Sequence, residues 1–413
     1  MKKAKLENGM TIATDYIPNF ETVSLGIFVN VGSVNECADQ SGISHFVEHM
    51  AFKGTHNRTA LQISLEIESV GGYMNAYTGK EVTAFYVRVL KENVELAVDI
   101  ISDIVQNSIF DQNEFEKERE VITQEIKQLN DMPDDLVFDM FQLQCFYGKN
   151  LGTPILGTEK NIKKFHPSDL LNYLKSNYST NKMIFCASGK IEQDEFLNMT
   201  DKYTKQMASF ETKIPDKQEY TGGFIFNKKE LEQTHLIFGY EGTKHSDDEK
   251  FSLFALSTIL GGGMSSRLFQ EVREKRGLVY SIFSFTSNYQ DTGTFGVYAA
   301  CDDRKANEVI NIIKEEFELV LDNLNDEEIK KAKTQIKASL LMGLESSSAR
   351  MERMANQFLL QKKFLSPTEL SFMIDAVSKD SILSIARQVF STKSTLAVIG
   401  NGKDIENLYN RIL

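Results

Sequence analysis

The stretch Ser41-Gly42-Ile43-Ser44-His45-Phe46-Val47-Glu48-His49-Met50-Ala51-Phe52-Lys53-Gly54 is helical in pattern from Ser41 to Lys53 and stops at Gly54. His45 and His49 stand four residues apart, so a helix puts both imidazoles on one face, about one turn apart, where a single cation can take a nitrogen from each. Glu48 projects from the same side and could polarise a water on that cation without ligating it. A catalytic zinc uses three protein ligands and one open position, so a third ligand must come from elsewhere. The chain has six histidines, and on the order of one in a hundred such sequences would show H-x-x-E-H by chance. The plain alternative is an exposed amphipathic turn with solvated side chains. His56, His166, His235 and His245 have no partner at ligand spacing and read as surface or core residues.

A third ligand needs a helix able to lie beside the first. The run from Glu116 to Ile126 is one, and its Glu118 and Glu125 are seven residues apart, two turns along one face. One carboxylate could bind the metal while the other hydrogen-bonds a ligand imidazole. Spacing alone leaves the choice open, and a solvated acidic face has the same pattern.

Outward from this pair the chain alternates strands and helices. Strands are expected over Thr22 to Val31, Tyr73 to Tyr77, Val82 to Leu90 and Met183 to Ser188. Helices are expected over Ala60 to Val70, Asn93 to Gln106, Asn113 to Asn130 and Asp134 to Phe146. The polar segment around Pro215 reads as a linker, 210–221, between domains 1–209 and 222–413. Beyond it come strands at His235 to Gly239, Val279 to Phe285 and Thr294 to Ala299, with helices at Glu249 to Leu260, Ala306 to Leu321 and Glu327 to Met342. Phe110-Asp111-Gln112-Asn113-Glu114-Phe115-Glu116-Lys117 parallels Leu324-Asn325-Asp326-Glu327-Glu328-Ile329-Lys330-Lys331, 214 residues later. A duplicated α+β unit explains this.

Composition narrows the partners. The chain has 413 residues, 41% of them hydrophobic and 25% charged, enough for two or three cored domains. A net charge of −12 argues against nucleic acid, whose phosphates need clustered basic groups. No run approaches the ~20 apolar residues of a membrane span, and the first residues lack a signal peptide's apolar stretch. Cys37, Cys145, Cys186 and Cys301 are far apart, which suggests four buried thiols in a reducing compartment rather than disulfides.

His45-x-x-Glu48-His49, with Glu125 placed 76 residues after His49 inside Glu118-Arg119-x-Val121-Ile122-x-x-Glu125, resembles the inverted zincins. Within them it is similar to the pitrilysin superfamily, specifically the β-subunit of mitochondrial processing peptidase and its bacterial relatives. The resemblance covers essentially the whole chain. Gly71-Gly72-Tyr73-Met74-Asn75-Ala76-Tyr77-Thr78 resembles the family's substrate-pairing edge strand. Gly261-Gly262-Gly263-Met264-Ser265-Ser266-Arg267-Leu268 resembles a glycine-led helix opening. Arg273 and Tyr280 match a substrate-holding pair.

The resemblance implies an α+β fold of two homologous α/β-sandwich-like domains, each a mainly antiparallel sheet flanked by long helices, forming a clamshell cleft. It implies one Zn2+ per chain on His45, His49 and Glu125, with Glu118 behind a ligand and Glu48 as general base of an endopeptidase. The 214-residue shift sets Ser339 opposite Glu125 and Ala332 opposite Glu118, so the second domain is expected to be metal-free. Extended peptides would pair beside Asn75 and Ala76. Asp135 and Asp139, four apart on a helix, would receive an arginine near the cut. The expected partner is a second copy or a related subunit. The expected compartment is a bacterial cytoplasm, or the mitochondrial matrix if a targeting segment has been removed. A non-catalytic respiratory-complex subunit and an inactive scaffold are the competing readings, and the intact motif argues against both.

Overall fold

The structure, a computed structural model, describes residues 1–361 and 363–401. The chain divides into two compact units: Met1–Lys127 with Thr153–Asp216 and Gly343–Phe364, and Gln128–Gly152 with Lys217–Met342 and Leu365–Leu413.

The first unit is built on a six-stranded sheet of β1 (Lys2–Lys5), β2 (Thr11–Tyr16), β3 (Thr22–Val29), β4 (Tyr73–Thr78), β5 (Thr83–Leu90) and β6 (Met183–Gly189), in the order β1-β2-β6-β3-β5-β4. The β2–β6 pair is parallel and every other pair is antiparallel. The central strands β3 (TVSLGIFV) and β6 (MIFCASG) are buried almost throughout, as uninterrupted apolar strands are when both sheet faces are covered. Helices α1 (Ile43–Ala51), α2 (Ala60–Glu68), α3 (Val94–Gln106), α4 (Gln112–Asp131), α6 (Glu159–Ile162), α7 (Pro167–Asn177) and α8 (Gln193–Thr204) contribute to the main core beside the sheet.

The second unit repeats this plan. Strands β7 (Gly223–Lys228), β8 (Thr234–Glu241), β9 (Val279–Asn288), β10 (Gly293–Cys301) and β11 (Thr395–Gly400) run in the order β7-β11-β8-β10-β9, again with one parallel pair, β7–β11. Strand for strand this is the order β2-β6-β3-β5-β4. Helices α9 (Lys250–Gly261), α10 (Ala306–Asn323) and α11 (Asp326–Gly343) parallel α1, α3 and α4, and α13 (Pro367–Ala376) and α14 (Lys379–Phe390) complete the core. The chain is therefore a duplicated α+β fold with two mixed, mainly antiparallel sheets.

Two helices do not stay with their own half. Helix α5 (Pro133–Cys145), from the N-terminal half, packs on β11, β8 and β7 of the second unit. Its counterpart α12 (Ser347–Asn356), from the C-terminal half, packs on β6, β3 and β2 of the first. The units are thus interleaved in sequence, unlike the contiguous division 1–209 and 222–413. The physical cause is that each sheet has a second apolar face. On the first sheet Ala13, Phe28, Ala84, Ile184 and Cys186 bury against Met351, Met354 and Ala355 of α12.

Polar contacts fix the seating of α12. Arg350 Nε lies 2.6 Å from Asp15 Oδ2, Ser24 Oγ lies 2.8 Å from Ser347 Oγ, and Tyr77 OH donates to Glu352 Oε1 at 2.9 Å. Residues 207–222, around Pro215, form no helix or strand. Cys145, Cys186 and Cys301 are buried free thiols, but Cys37 is exposed, contrary to the expectation of four buried ones. It sits beside a short 3-10 turn, outside either core.

Asp15 is buried, so removing its partner strands a carboxylate. Arg350→Ala is expected to destabilise the first unit by about 3 kcal/mol, seen as an earlier urea midpoint in first-unit probes. An unchanged midpoint would show that the Arg350–Asp15 pair does not hold α12.

Candidate metal centre

Helix α1 buries Ile43, Phe46, Val47 and Met50 and leaves His45, Glu48 and His49 half-buried on the opposite side. Its start is fixed from outside. Gly42 precedes it at φ 97, a left-handed conformation in which an added Cβ would come within 2.8 Å of the Leu156 carbonyl oxygen. The first turn has no acidic residue of its own. Glu36 supplies one: its carboxylate accepts the Gly42 and Ser44 backbone N–H groups at 2.9 Å each. Burial pushes the Glu36 carboxyl up to about 7 despite those two donors.

Helix α4 meets α1 through Phe46 stacked on Phe115, with ring centroids 4.4 Å apart and 13° between planes. Arg119 holds the register of α4, donating to the carbonyls of Ile162 at 2.8 Å and Phe165 at 2.9 Å. In this register both acidic residues of the α4 face reach α1. Glu125 Oε2 lies 3.7 Å from His45 Nε2 and 3.6 Å from His49 Nε2. Glu118 Oε2 lies 2.9 Å from His49 Nδ1, and its Oε1 is 2.7 Å from Lys53 Nζ. The geometry thus separates two carboxylates that spacing left equivalent.

His45, His49 and Glu125 each offer one ligand atom, all within 4.8 Å of one another, and form a group able to hold a metal ion. Metal–ligand distances of about 2.0–2.2 Å in a tetrahedron require ligand atoms roughly 3.3–3.6 Å apart. The separations from Glu125, 3.7 and 3.6 Å, approach that, so two imidazoles and a carboxylate form a donor set suited to zinc.

Electrostatics agree with the geometry. Burial, with a smaller contribution from His49, depresses His45 to about 3, so that ring is neutral and able to ligate. Burial also works to lower His49, but the Glu118 hydrogen bond and the surrounding carboxylates outweigh it and raise the net value. For Glu118, burial acts upward and is outweighed by His49 and Lys53, so the carboxyl lies below its ordinary range. Glu48 is raised by burial, partly offset by Thr78, whose hydroxyl donates to its Oε2 at 2.6 Å.

The remaining sequence-predicted residues fall as follows. Asn75 and Ala76 lie on β4, an edge strand that among the described residues pairs only with β5. The Ala76 N–H donates to Asn75 Oδ1 at 2.8 Å, and Asn75 Nδ2 donates to Tyr73 OH at 3.0 Å. In the second unit, Arg273 sits 5.5 Å from the ring centroid of Tyr280, which is 74% exposed. Asp135 is exposed and Asp139 half-buried on α5. Burial, then the charges of Asp134 and Asp135, push the Tyr298 phenol up to about 12. Ala332 and Ser339 lie on α11, the counterpart of α4, and α9 has no histidine or acidic residue where α1 has three. Sequence reasoning missed Glu36, Lys53 and Thr78, since each acts through the fold rather than through a spacing. The acid-free first turn of α1 was the one legible hint of a cap from elsewhere.

Two imidazoles and a carboxylate at one point, with another carboxylate on the ligand helix, make the donor set of a hydrolytic zinc centre. The sequence matches two family models, "Insulinase (Peptidase family M16)" over residues 11–159 and "Peptidase M16 inactive domain" over residues 164–336. An uncharacterised zinc protease of Rickettsia bellii is 40% identical, covering 96% of this chain and 97% of that protein. The mitochondrial-processing peptidase subunit beta of Saccharomyces cerevisiae is 34% identical, covering 98% and 92%. A protease from Helicobacter pylori shares the fold, with a TM-score of 0.91 at 21% identity over 97% of this chain and 99% of that one. The chain belongs to peptidase family M16, in accord with the resemblance to the pitrilysin superfamily.

Glu118→Gln removes the negative charge from between His49 and Lys53. It is expected to weaken zinc binding about 10- to 100-fold, measured by chelator competition, with the far-ultraviolet spectrum unchanged. Unaltered affinity would show that Glu118 does not support the ligand.

Proposed function

We propose that this chain is a zinc-dependent endopeptidase acting on extended peptides. The observation that carries the proposal is the convergence of His45, His49 and Glu125 on one point, with Glu48 one residue from a ligand. Zinc, one per chain, would supply Lewis acidity toward water and toward the scissile carbonyl. Glu48, half-buried and raised by burial, takes the proton of the attacking water and passes it to the leaving amine. Glu118 holds the His49 ring through Nδ1, leaving Nε2 for the metal.

Peptide would enter as an added strand on β4 beside Asn75 and Ala76. Because the Ala76 N–H is engaged by Asn75 Oδ1, an incoming peptide carbonyl must displace that side chain. In the second unit, Arg273 and Tyr280 are candidate substrate contacts, supported by the resemblance and by their mutual stacking. Asp135 and Asp139 are candidate receivers of an arginine near the cut, which makes basic, presequence-like peptides the preferred class. The relative that is a processing-peptidase subunit supports a dimer with a second copy or a related chain. The bacterial relative is compatible with a bacterial cytoplasm. No helix among the described residues is long and apolar enough to cross a membrane.

Glu48→Gln is expected to keep one zinc per chain and to lose about 10²- to 10⁴-fold in cleavage of a quenched basic peptide. A fully active Glu48→Gln protein would remove Glu48 from the chemistry. Asp135→Asn with Asp139→Asn should abolish any preference for arginine two residues before the cut. Cut-site mapping in a basic peptide library by mass spectrometry checks this, and a retained preference would contradict it.

A further inference from the structure

Thr78 closes β4 and has its side chain on the same strand face as Ala76, two residues earlier. Its Oγ1 donates to Glu48 Oε2 at 2.6 Å, while its other acceptor within reach, the Ser44 carbonyl, is 3.5 Å away. The shorter contact is with a carboxylate, so the hydroxyl directs its hydrogen bond to Glu48. The position is rigid. A β-branched side chain on a strand has few rotamers. The turn behind it is closed by Gly79 N–H to Val82 O at 2.8 Å and held by Val34 N–H to the Lys80 carbonyl at 2.9 Å.

We propose that Thr78 is a positioning residue for Glu48: its hydroxyl pins Oε2 and leaves Oε1 to exchange the proton with the attacking water and the leaving amine. This rests on the peptidase reading given above. The proton balance is simple. Glu48 gains one proton at Oε1 and later gives it up, while Thr78 keeps its own throughout and donates to Oε2 in both states. One strand then sets two distances at once. A strand rises about 3.3 Å per residue, so the edge that takes the substrate backbone at Ala76 and the group that aims the base lie roughly 6.6 Å apart on one face. Substrate position and base position share one rigid reference, the arrangement that proximity effects demand.

The test compares Thr78→Val and Thr78→Ala, which remove the hydroxyl, with Thr78→Ser, which keeps it, in the full-length zinc-loaded protein. Valine and alanine are expected to lower kcat on the order of 10- to 100-fold, with KM within about twofold and zinc content unchanged. Serine is expected to restore kcat to within about threefold. Crystal structures give a readout independent of activity: Glu48 in one conformation in the parent and in Thr78→Ser, displaced or split in Thr78→Val. A Thr78→Val protein with parental kcat and an unmoved Glu48 would overturn the proposal. So would loss of zinc, or a serine variant as poor as the valine one, since either would mean the residue serves the fold. If the parent cleaves no peptide while Glu48 still moves in Thr78→Val, the peptidase reading fails and the Thr78–Glu48 coupling stands.

Discussion

The carboxylate of Glu118, buried between His49 Nδ1 and Lys53 Nζ, ties α1 to α4 at the one place where the two helices must agree. Around it the fit is set by apolar packing, with Phe46 stacked on Phe115 and Ile122 fully buried. A slip of α4 by one residue would rotate its face by about 100° and take both Glu118 and Glu125 away from the histidines. The guanidinium of Arg119 opposes that slip from the outer side of α4. The apolar contacts supply the affinity between the helices, and the buried charge supplies the register. Its burial is tolerated because both oxygens are paired, one with His49 and one with Lys53; removing Lys53 would leave it costly.

The same division of labour recurs on the other side of α1. Glu36 caps the helix start and Thr78 holds Glu48. Every side chain on the working face of α1 that faces the centre is therefore met by a fixed partner, except His45, whose buried Nδ1 has no hydrogen-bond partner among the described residues. His45 is oriented by packing, with its ring edge-on to His49 at 4.5 Å. The two ligand histidines thus differ in kind. One is kept neutral by desolvation, and the other is aimed from behind by a carboxylate whose hydrogen bond to Nδ1 raises its basicity.

Much of this was legible in the sequence, for reasons of period. The i, i+4 histidines and the seven-residue spacing of Glu118 and Glu125 name faces of helices, and helices keep their faces. Strands β3, β5 and β6 were readable because buried strands are continuous apolar runs. The short or polar β1 (KKAK), β2 (TIATDY) and β7 (GFIFNK) gave no such signal, and the helices beyond Met342 were not traced. The exchange of α5 and α12 was invisible for a deeper reason. An amphipathic helix shows that one face is buried, but nothing in its pattern says which sheet buries it. Only the pairing of Met351 and Met354 with Phe28 and Ile184 decides that. Thr78 and Glu36 were hidden likewise, since their partners lie 30 and 6 to 8 residues away across turns whose geometry a linear pattern does not encode.

The central claim is that one metal ion sits between α1 and α4. Anomalous diffraction at the zinc absorption edge, from crystals of the zinc-loaded protein, tests it most directly. The account predicts a single strong peak per chain, about 2.0–2.2 Å from His45 Nε2, His49 Nε2 and a Glu125 carboxylate oxygen. A peak liganded by Glu118 in place of Glu125, or a zinc-loaded chain with no peak at this point, would contradict it.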